Sequence, residues 1–155
     1  MTQSLPHTGH PDAPFLERAF GEAMILVQQT ACYLEHDGVA DRDRLAESGR
    51  TVFTGEALRV TTRLMQAVAW LLVHRAVAQG EMTADEGLSP GRRLGGREIC
   101  LGPAMSGAEA LPDRLRELLG ASRQIYERVA RLEDRLMDGI GQDNPVHDLL
   151  RRLDS

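Results

Sequence analysis

Two cysteines and several histidines are candidate zinc ligands in this 155-residue sequence. Cys32 and His36 are four residues apart in a segment with helical periodicity, and this spacing places two ligands on one helix face. His74 and Cys100 could complete a tetrahedral zinc site. Nothing in the sequence brings the four residues together, so we expect Cys32 to face the core, Cys100 to lie in a loop and no metal to bind.

Arginines in a glycine-rich stretch, Gly80 to Ala110, are a second candidate for chemistry. Arg92, Arg93 and Arg97 lie there, and guanidinium groups beside a glycine-rich backbone can bind anions. No clear helix start follows these arginines, so we expect a flexible loop. A small-molecule or anion sensor that uses these arginines is the alternative function.

Several classes of protein are disfavoured by the composition. The sequence lacks H-E-x-x-H, G-x-S-x-G and a G-x-G-x-x-G after a strand, and it contains no lysine for Walker-A or Schiff-base chemistry. Its formal net charge of -5 argues against nucleic-acid binding. The longest apolar run, residues 67–73, is too short to span a membrane. We therefore expect a cytoplasmic protein that is not an enzyme and has no cofactor.

Three segments with helical periodicity predict an all-α fold. Apolar residues recur at helical spacing over about residues 15–36, 54–79 and 112–138. Thr54 is a suitable N-cap for the second helix, and residues 39–53 are expected to connect helices rather than join the core. The similar lengths favour an antiparallel three-helix bundle over residues 15–139, with the glycine-rich stretch connecting helices two and three.

Both ends of the chain are predicted to lie outside this bundle. Residues 1–14 contain proline, glycine and histidine without periodicity, which predicts a disordered arm with a solvated His10. Residues 140–155 form a flexible tail in which Val146 to Leu153 could be a short helix.

The second predicted helix has two faces. Its inner arc is apolar and wide enough to contact both other helices; it contains Ala57, Leu58, Val60, Thr61, Leu64, Met65, Val68, Leu71, Leu72 and Ala76. Arg75 also falls on this arc and should form an ion pair with an acid of another helix. The outer arc supplies the candidate protein-binding residues, which are Arg59, Arg63, Gln66, Trp70, Val73, His74 and Val77. Either the glycine-rich stretch covers Trp70, or this surface is an interface with a second subunit or a partner.

The run Thr61-Thr62-Arg63-Leu64-Met65-Gln66-Ala67-Val68-Ala69-Trp70-Leu71-Leu72-Val73-His74-Arg75-Ala76-Val77 closely resembles the central segment of the bacterial RcdA family, named for regulator of CtrA degradation. The likeness extends to residues 118–132 and covers roughly residues 15–137. The resemblance implies a dimeric three-helix bundle without enzymatic activity. It also implies an adaptor that, with accessory proteins, helps to deliver the transcription regulator CtrA and other substrates to the ClpXP protease.

Overall fold

A computed structural model describes residues 10–143, 149–150 and 152–153 and contains no strand within them. Six α-helices occur in this part of the chain: α1 (Ala13–Glu35), α2 (Asp37–Asp43), α3 (Glu47–Ala78), α4 (Ala84–Gly87), α5 (Arg97–Cys100) and α6 (Asp113–Asp143). Pro90–Arg92 and Ala108–Ala110 are 3-10 turns. The prediction of an all-α fold is confirmed, but three short helices accompany the three long ones.

Helix α1 begins at a side-chain cap. The Asp12 carboxylate accepts a hydrogen bond from the Phe15 amide at 2.8 Å, so the helix starts two residues before the predicted boundary. At the other end, Gly38 of α2 passes so close to α1 that an added Cβ would lie 2.6 Å from the Tyr33 carbonyl oxygen. The turn between α1 and α2 therefore requires glycine at this position.

Helix α3 begins at Glu47, seven residues before the predicted N-cap at Thr54. Ala46 is its N-cap residue and makes no side-chain cap hydrogen bond. The prediction that residues 39–53 stay outside the core is wrong, because Phe53 is 4% exposed and packs with Tyr33. Threonines within α3 bond to the helix backbone, as Thr61 does with the Ala57 carbonyl, so they do not interrupt it.

Helices α1 and α3 run in opposite directions. The Arg75 guanidinium near the end of α3 pairs with Glu17 near the start of α1 at 2.6 Å, and the rings of Tyr33 and Phe53 meet at the other end. The predicted ion pair of Arg75 with an acid of another helix is confirmed.

Helices α3 and α6 run in the same direction, so the antiparallel order predicted for this pair is wrong. Arg63 contacts Ser122, and Trp70, further along α3, contacts Glu133, further along α6. The connection between them, residues 79–112, travels back along α3 before α6 begins, and we call it the return segment. Its length allows this crossover, which a short loop would not.

Contacts along the return segment follow α3 from its C-terminal end to its N-terminal end. Each successive contact of the return segment is with a lower-numbered residue of α3. The contacting pairs are Gly87 with Val77, Gly95 with Gln66, Cys100 with Arg63, Gly102 with Arg59, and Met105 with Glu56. The Thr83 hydroxyl caps α4 by accepting from the Glu86 amide. The glycine-rich stretch is therefore ordered cover rather than a flexible loop.

Two clusters of buried apolar residues form the core. One lies toward the C-terminal end of α3 around Leu16, Trp70 and Tyr126 and includes Leu88 and Leu94 of the return segment. The other lies toward the N-terminal end of α3 around Phe53 and Leu115. The return segment thus contributes side chains to the core as well as covering α3.

Candidate functional site

The carboxylate of Glu133, in α6, joins α3 to the return segment. Its Oε2 accepts from the Trp70 indole Nε1 and from the Leu94 amide, each at 2.8 Å, and its Oε1 accepts from Arg97 at 3.0 Å. Glu133 is 4% exposed. A buried carboxylate is stable when it is paired and fully hydrogen-bonded, and these three donors meet that condition.

A second connection holds the backbone of Gly95. The Gln66 side-chain oxygen accepts from the Gly95 amide at 3.0 Å, and the Tyr126 hydroxyl donates to the Gly95 carbonyl at 2.6 Å. Burial raises the pKa of Tyr126 well above its usual value. An added Cβ on Gly95 would lie 2.9 Å from Gln66 Oε1, so a larger residue here would displace the Gln66 side chain.

Arginine side chains of α3 hold the later part of the return segment. Arg63 donates to the Cys100 carbonyl at 2.9 Å and to the Leu119 carbonyl at 3.0 Å, and Arg59 donates to the Gly102 carbonyl at 2.9 Å. Burial, followed by the neighbouring charge of Arg59, lowers the pKa of Arg63. These guanidinium groups satisfy backbone acceptors of the same chain.

His74 is fully buried between Trp70 and the N-terminal arm. Its ring stacks on the indole of Trp70 with 3.9 Å between centroids, and its Nδ1 lies 3.3 Å from His10 Nε2. His74 Nε2 has no hydrogen-bond partner among the described residues. Burial and the neighbouring His10 lower the pKa of His74 to about 4. His10 is half-buried, which corrects the expectation of a solvated side chain.

Much of the predicted outer arc is covered by other parts of the protein. Arg63, Trp70 and His74 are buried, whereas Arg59, Gln66, Val73 and Val77 are half-buried. Of the two explanations for Trp70, the cover by the glycine-rich stretch is the one observed. That the seven residues bind another protein stays a prediction.

Sequence reasoning missed the exposed face of α3, which lies on the predicted inner arc. Leu58, Met65 and Leu72 are 62%, 66% and 46% exposed, although the pattern placed them against both other helices. Helix α6 packs on the side of Arg63 and Trp70, and α1 packs on the side of Leu64. The part of the inner arc that carries Leu58, Met65 and Leu72 is left exposed. The spacing of seven residues was the signal, since it places all three side chains in one row.

The exposed residues of α3 from Thr51 to Val77 are all uncharged: Thr51, Thr54, Leu58, Met65, Ala69 and Leu72. We call this row the uncharged face. Glu56 and Arg63 of the same span are buried instead. In a chain with 26% charged residues, a charge-free row of this length is a candidate binding surface.

Two small cavities adjoin the uncharged face between α1 and α3. One, of about 180 Å³, is lined by Leu34, Arg42, Phe53, Thr54, Ala57, Leu58 and Thr61. The other, of about 140 Å³, is lined by Val27, Thr30, Ala31, Leu34, Thr61, Leu64 and Met65. We call the two together the α1–α3 groove. The Thr30 hydroxyl is buried and has no hydrogen-bond partner in the described chain.

The other candidates for chemistry are dispersed. Cys32 is exposed, so the expectation that it faces the core is wrong. Cys100 lies in the short helix α5 rather than in a loop, and it is buried. No group of three or more metal-binding side chains occurs within the described residues. Among the same residues, no helix has the length and apolar content to cross a membrane.

The three arginines proposed for anion binding already have acceptors within the chain. Arg92 donates to the Glu86 carbonyl, Arg93 donates to the Leu88 carbonyl, and Arg97 pairs with Glu133 and Asp134. These contacts give the anion-sensor alternative no support.

Comparison with known proteins identifies the family. Residues 10–155 match a family described as a protein of unknown function, DUF1465. The crystal structure of RcdA from Caulobacter crescentus CB15 is 36% identical to the chain, with a TM-score of 0.63, covering 78% of this chain and 89% of that one. The chain belongs to the RcdA family. No curated protein matches it. The RcdA likeness inferred from the sequence of α3 is thus confirmed over most of the chain.

Proposed function

We propose that this chain is a non-enzymatic regulator that acts by binding other proteins. Membership of the RcdA family supports this assignment, as does the placement of its charged α3 side chains in structural contacts rather than in an open cleft. Within this proposal, α1, α3 and α6 form a three-helix scaffold that presents a surface to partners. More specifically, we propose that the chain is a cytoplasmic adaptor that assists delivery of cell-cycle regulators such as CtrA to the ClpXP protease.

The observation that carries this proposal is the uncharged face. Leu58, Met65 and Leu72 repeat every seven residues, which is the spacing that packs one helix along another. Small neighbours such as Ala69 allow a second helix to approach closely. A homodimer formed across this face would bury a row that one chain alone leaves in water, because a two-fold interface uses the same patch on both copies.

The seven residues of the outer arc have an indirect part in this proposal. Arg59, Arg63 and Gln66 fix the backbone of the return segment, and Trp70 fixes Glu133. They contribute to partner binding only indirectly, because they hold the return segment, and with it the scaffold, in place. Val73, His74 and Val77 lie beneath or beside α4 and support it in the same way.

Capture of partners from the native cytoplasm, followed by an ATP-dependent degradation assay with purified ClpXP, tests the proposal. The full chain should recover the protease or its accessory proteins and accelerate degradation of a client, and Met65→Glu should do both less well. Ile99→Glu is the matched control, because Ile99 is 61% exposed on α5, away from the uncharged face. Equal recovery by both variants, or no effect of the full chain on degradation, would contradict the proposal.

A further inference from the structure

A pair of histidines joins the N-terminal arm to the C-terminal half of α3. His10 Nε2 lies 3.3 Å from Nδ1 of His74, which is 0% exposed and stacked on Trp70. Two residues after His10, the Asp12 carboxylate caps α1 through the Phe15 amide, and this bond involves neither histidine. Residues 10 and 11 can therefore leave α3 while α1 keeps its cap.

The hydrogen bonds of the pair determine which ring nitrogens carry hydrogen. His10 Nδ1 lies 3.1 Å from the Pro11 carbonyl oxygen, which can only accept, so Nδ1 of His10 carries the hydrogen. A neutral imidazole has a single N–H, so His10 Nε2 is an acceptor and His74 Nδ1 donates to it. His74 Nε2 is then a bare acceptor, and it is the buried nitrogen that has no partner among the described residues.

One further proton disrupts this arrangement wherever it binds. On His10 Nε2, the proton sets two N–H groups against each other across 3.3 Å. A hydrogen on His74 Nε2, either the added proton or one moved there from Nδ1, is buried without an acceptor. The contact is therefore stable only while both imidazoles are neutral, which agrees with the pKa of about 4 for His74.

The charged groups on the elements around His74 are exposed or already bonded elsewhere. Glu17 of α1 pairs with Arg75 of α3, Glu133 of α6 accepts from Trp70 and Arg97, Arg93 of the return segment donates to the Leu88 carbonyl, Asp12 of the arm accepts from Phe15, and Asp85 and Glu86 of α4 are exposed. Among the described residues, no carboxylate counteracts the lowering of the His74 pKa.

We propose that the His10–His74 contact is an acid-sensitive latch, which holds residues 10 and 11 on α3 while both imidazoles are neutral and releases them when the pair takes up a proton. The latch uses none of the residues of the uncharged face. Release uncovers the His74 ring and leaves the three long helices in place, because the Asp12 cap is separate.

The direction of the pH dependence follows from the lowered pKa of His74. Above pH 6.5 the docked and the released arm bind the same number of protons, so docking is at full strength. Between pH 6.5 and about 4 the released form binds the extra proton and the docked form excludes it. The ratio of docked to released arm should therefore fall by up to about tenfold per pH unit across this range.

A side-chain nitrogen-15 NMR titration of the full chain tests the latch. Above pH 6.5 the neutral His74 should carry its hydrogen on Nδ1, and cross-relaxation should connect the rings of His10 and His74. The ring contact should disappear as His74 takes up its proton, while the helical circular-dichroism signal persists. A hydrogen on His74 Nε2 in the neutral form, or a ring contact that survives protonation, would overturn the inference.

Two histidine variants separate the latch from a general effect of acid. His10→Ala removes the neighbouring imidazole, so the midpoint of the His74 titration should rise by about one pH unit or more toward 6.5. Emission from Trp70, the only tryptophan of the chain, gives a second readout because its indole stacks on His74. The control is His36→Ala, since His36 is exposed and its Nδ1 contacts the Cys32 carbonyl of α1. Equal His74 midpoints in the two variants would refute the latch.

Discussion

The two sides of α3 differ in which side chains are covered: polar ones on one side are buried, and apolar ones on the other are exposed. The side beneath the return segment carries Arg59, Arg63 and Gln66, and their polar atoms are matched by backbone groups of that segment. The other side carries Leu58 and Met65, which remain in contact with water. Residue polarity alone therefore does not identify the buried side of a helix. A covering segment that supplies backbone donors and acceptors can bury a polar face.

Glu133→Ala should give the largest loss of stability on the covered side. It leaves the Trp70 indole and the Leu94 amide without their acceptor and removes the buried one of the two carboxylates that pair with Arg97, at a cost of about 3–5 kcal/mol in the free energy of unfolding. Urea denaturation measures the loss. The control is Asp134→Ala, which removes the exposed partner of the same arginine and should change stability by no more than about 0.5 kcal/mol. Similar losses for both variants would contradict the assigned role of Glu133.

Acid should weaken the covered side through His74. Above pH 6.5 the imidazole is neutral in both the folded and the unfolded chain, so it adds no pH dependence. Between pH 6.5 and about 4 the unfolded chain binds a proton that the folded chain excludes, and the free energy of unfolding should fall by about 3 kcal/mol. His74→Phe keeps an aromatic ring on Trp70 and should flatten this part of the curve. If the free energy of unfolding of His74→Phe falls with acid as steeply as that of the original chain, other groups cause the acid sensitivity.

Gly95→Ala should produce a smaller loss. The new methyl group would meet Gln66 Oε1 at 2.9 Å, so Gln66 must move and the Gly95 amide loses its acceptor, which costs about 1 kcal/mol. Thermal denaturation measures the change, and Gly91→Ala is the control because nothing lies near its added methyl group. An equal loss of stability in Gly91→Ala and Gly95→Ala would refute the close contact between Gly95 and Gln66.

Met65→Gln should have the smallest effect on folding, within about 0.5 kcal/mol, because its side chain is already in water. The same variant should weaken self-association measured by light scattering. The neighbouring Leu64→Ala, on the buried side, should instead cost about 2–5 kcal/mol. Comparable destabilisation by the two variants would mean that the uncharged face is covered within one copy.

Features set by neighbours in the sequence could be predicted. The helical periodicities identified the three long helices, and the position of Arg75 on an apolar arc required a carboxylate partner, which is Glu17. Each of these depends on local spacing or on the cost of an unpaired charge.

Features set by distant backbone could not be predicted. No pattern around Gln66 or Arg63 indicates that the amide of Gly95 and the carbonyl of Cys100 will meet them, since every residue carries such groups. The start of α3 was missed for a related reason. Phe53 is a lone aromatic among polar residues, and its burial depends on Tyr33 of another helix.

The return segment also gives the chain a simple order of assembly. Its contacts with α3 join residues 29, 37, 43 and 49 positions apart, increasing steadily away from the turn that follows α3. Once one contact forms, the next closes a loop of only a few further residues, so each step has a small entropic cost. The return segment can thus fold onto α3 one contact after another, starting from that turn. The last contact brings the start of α6 beside the start of α3.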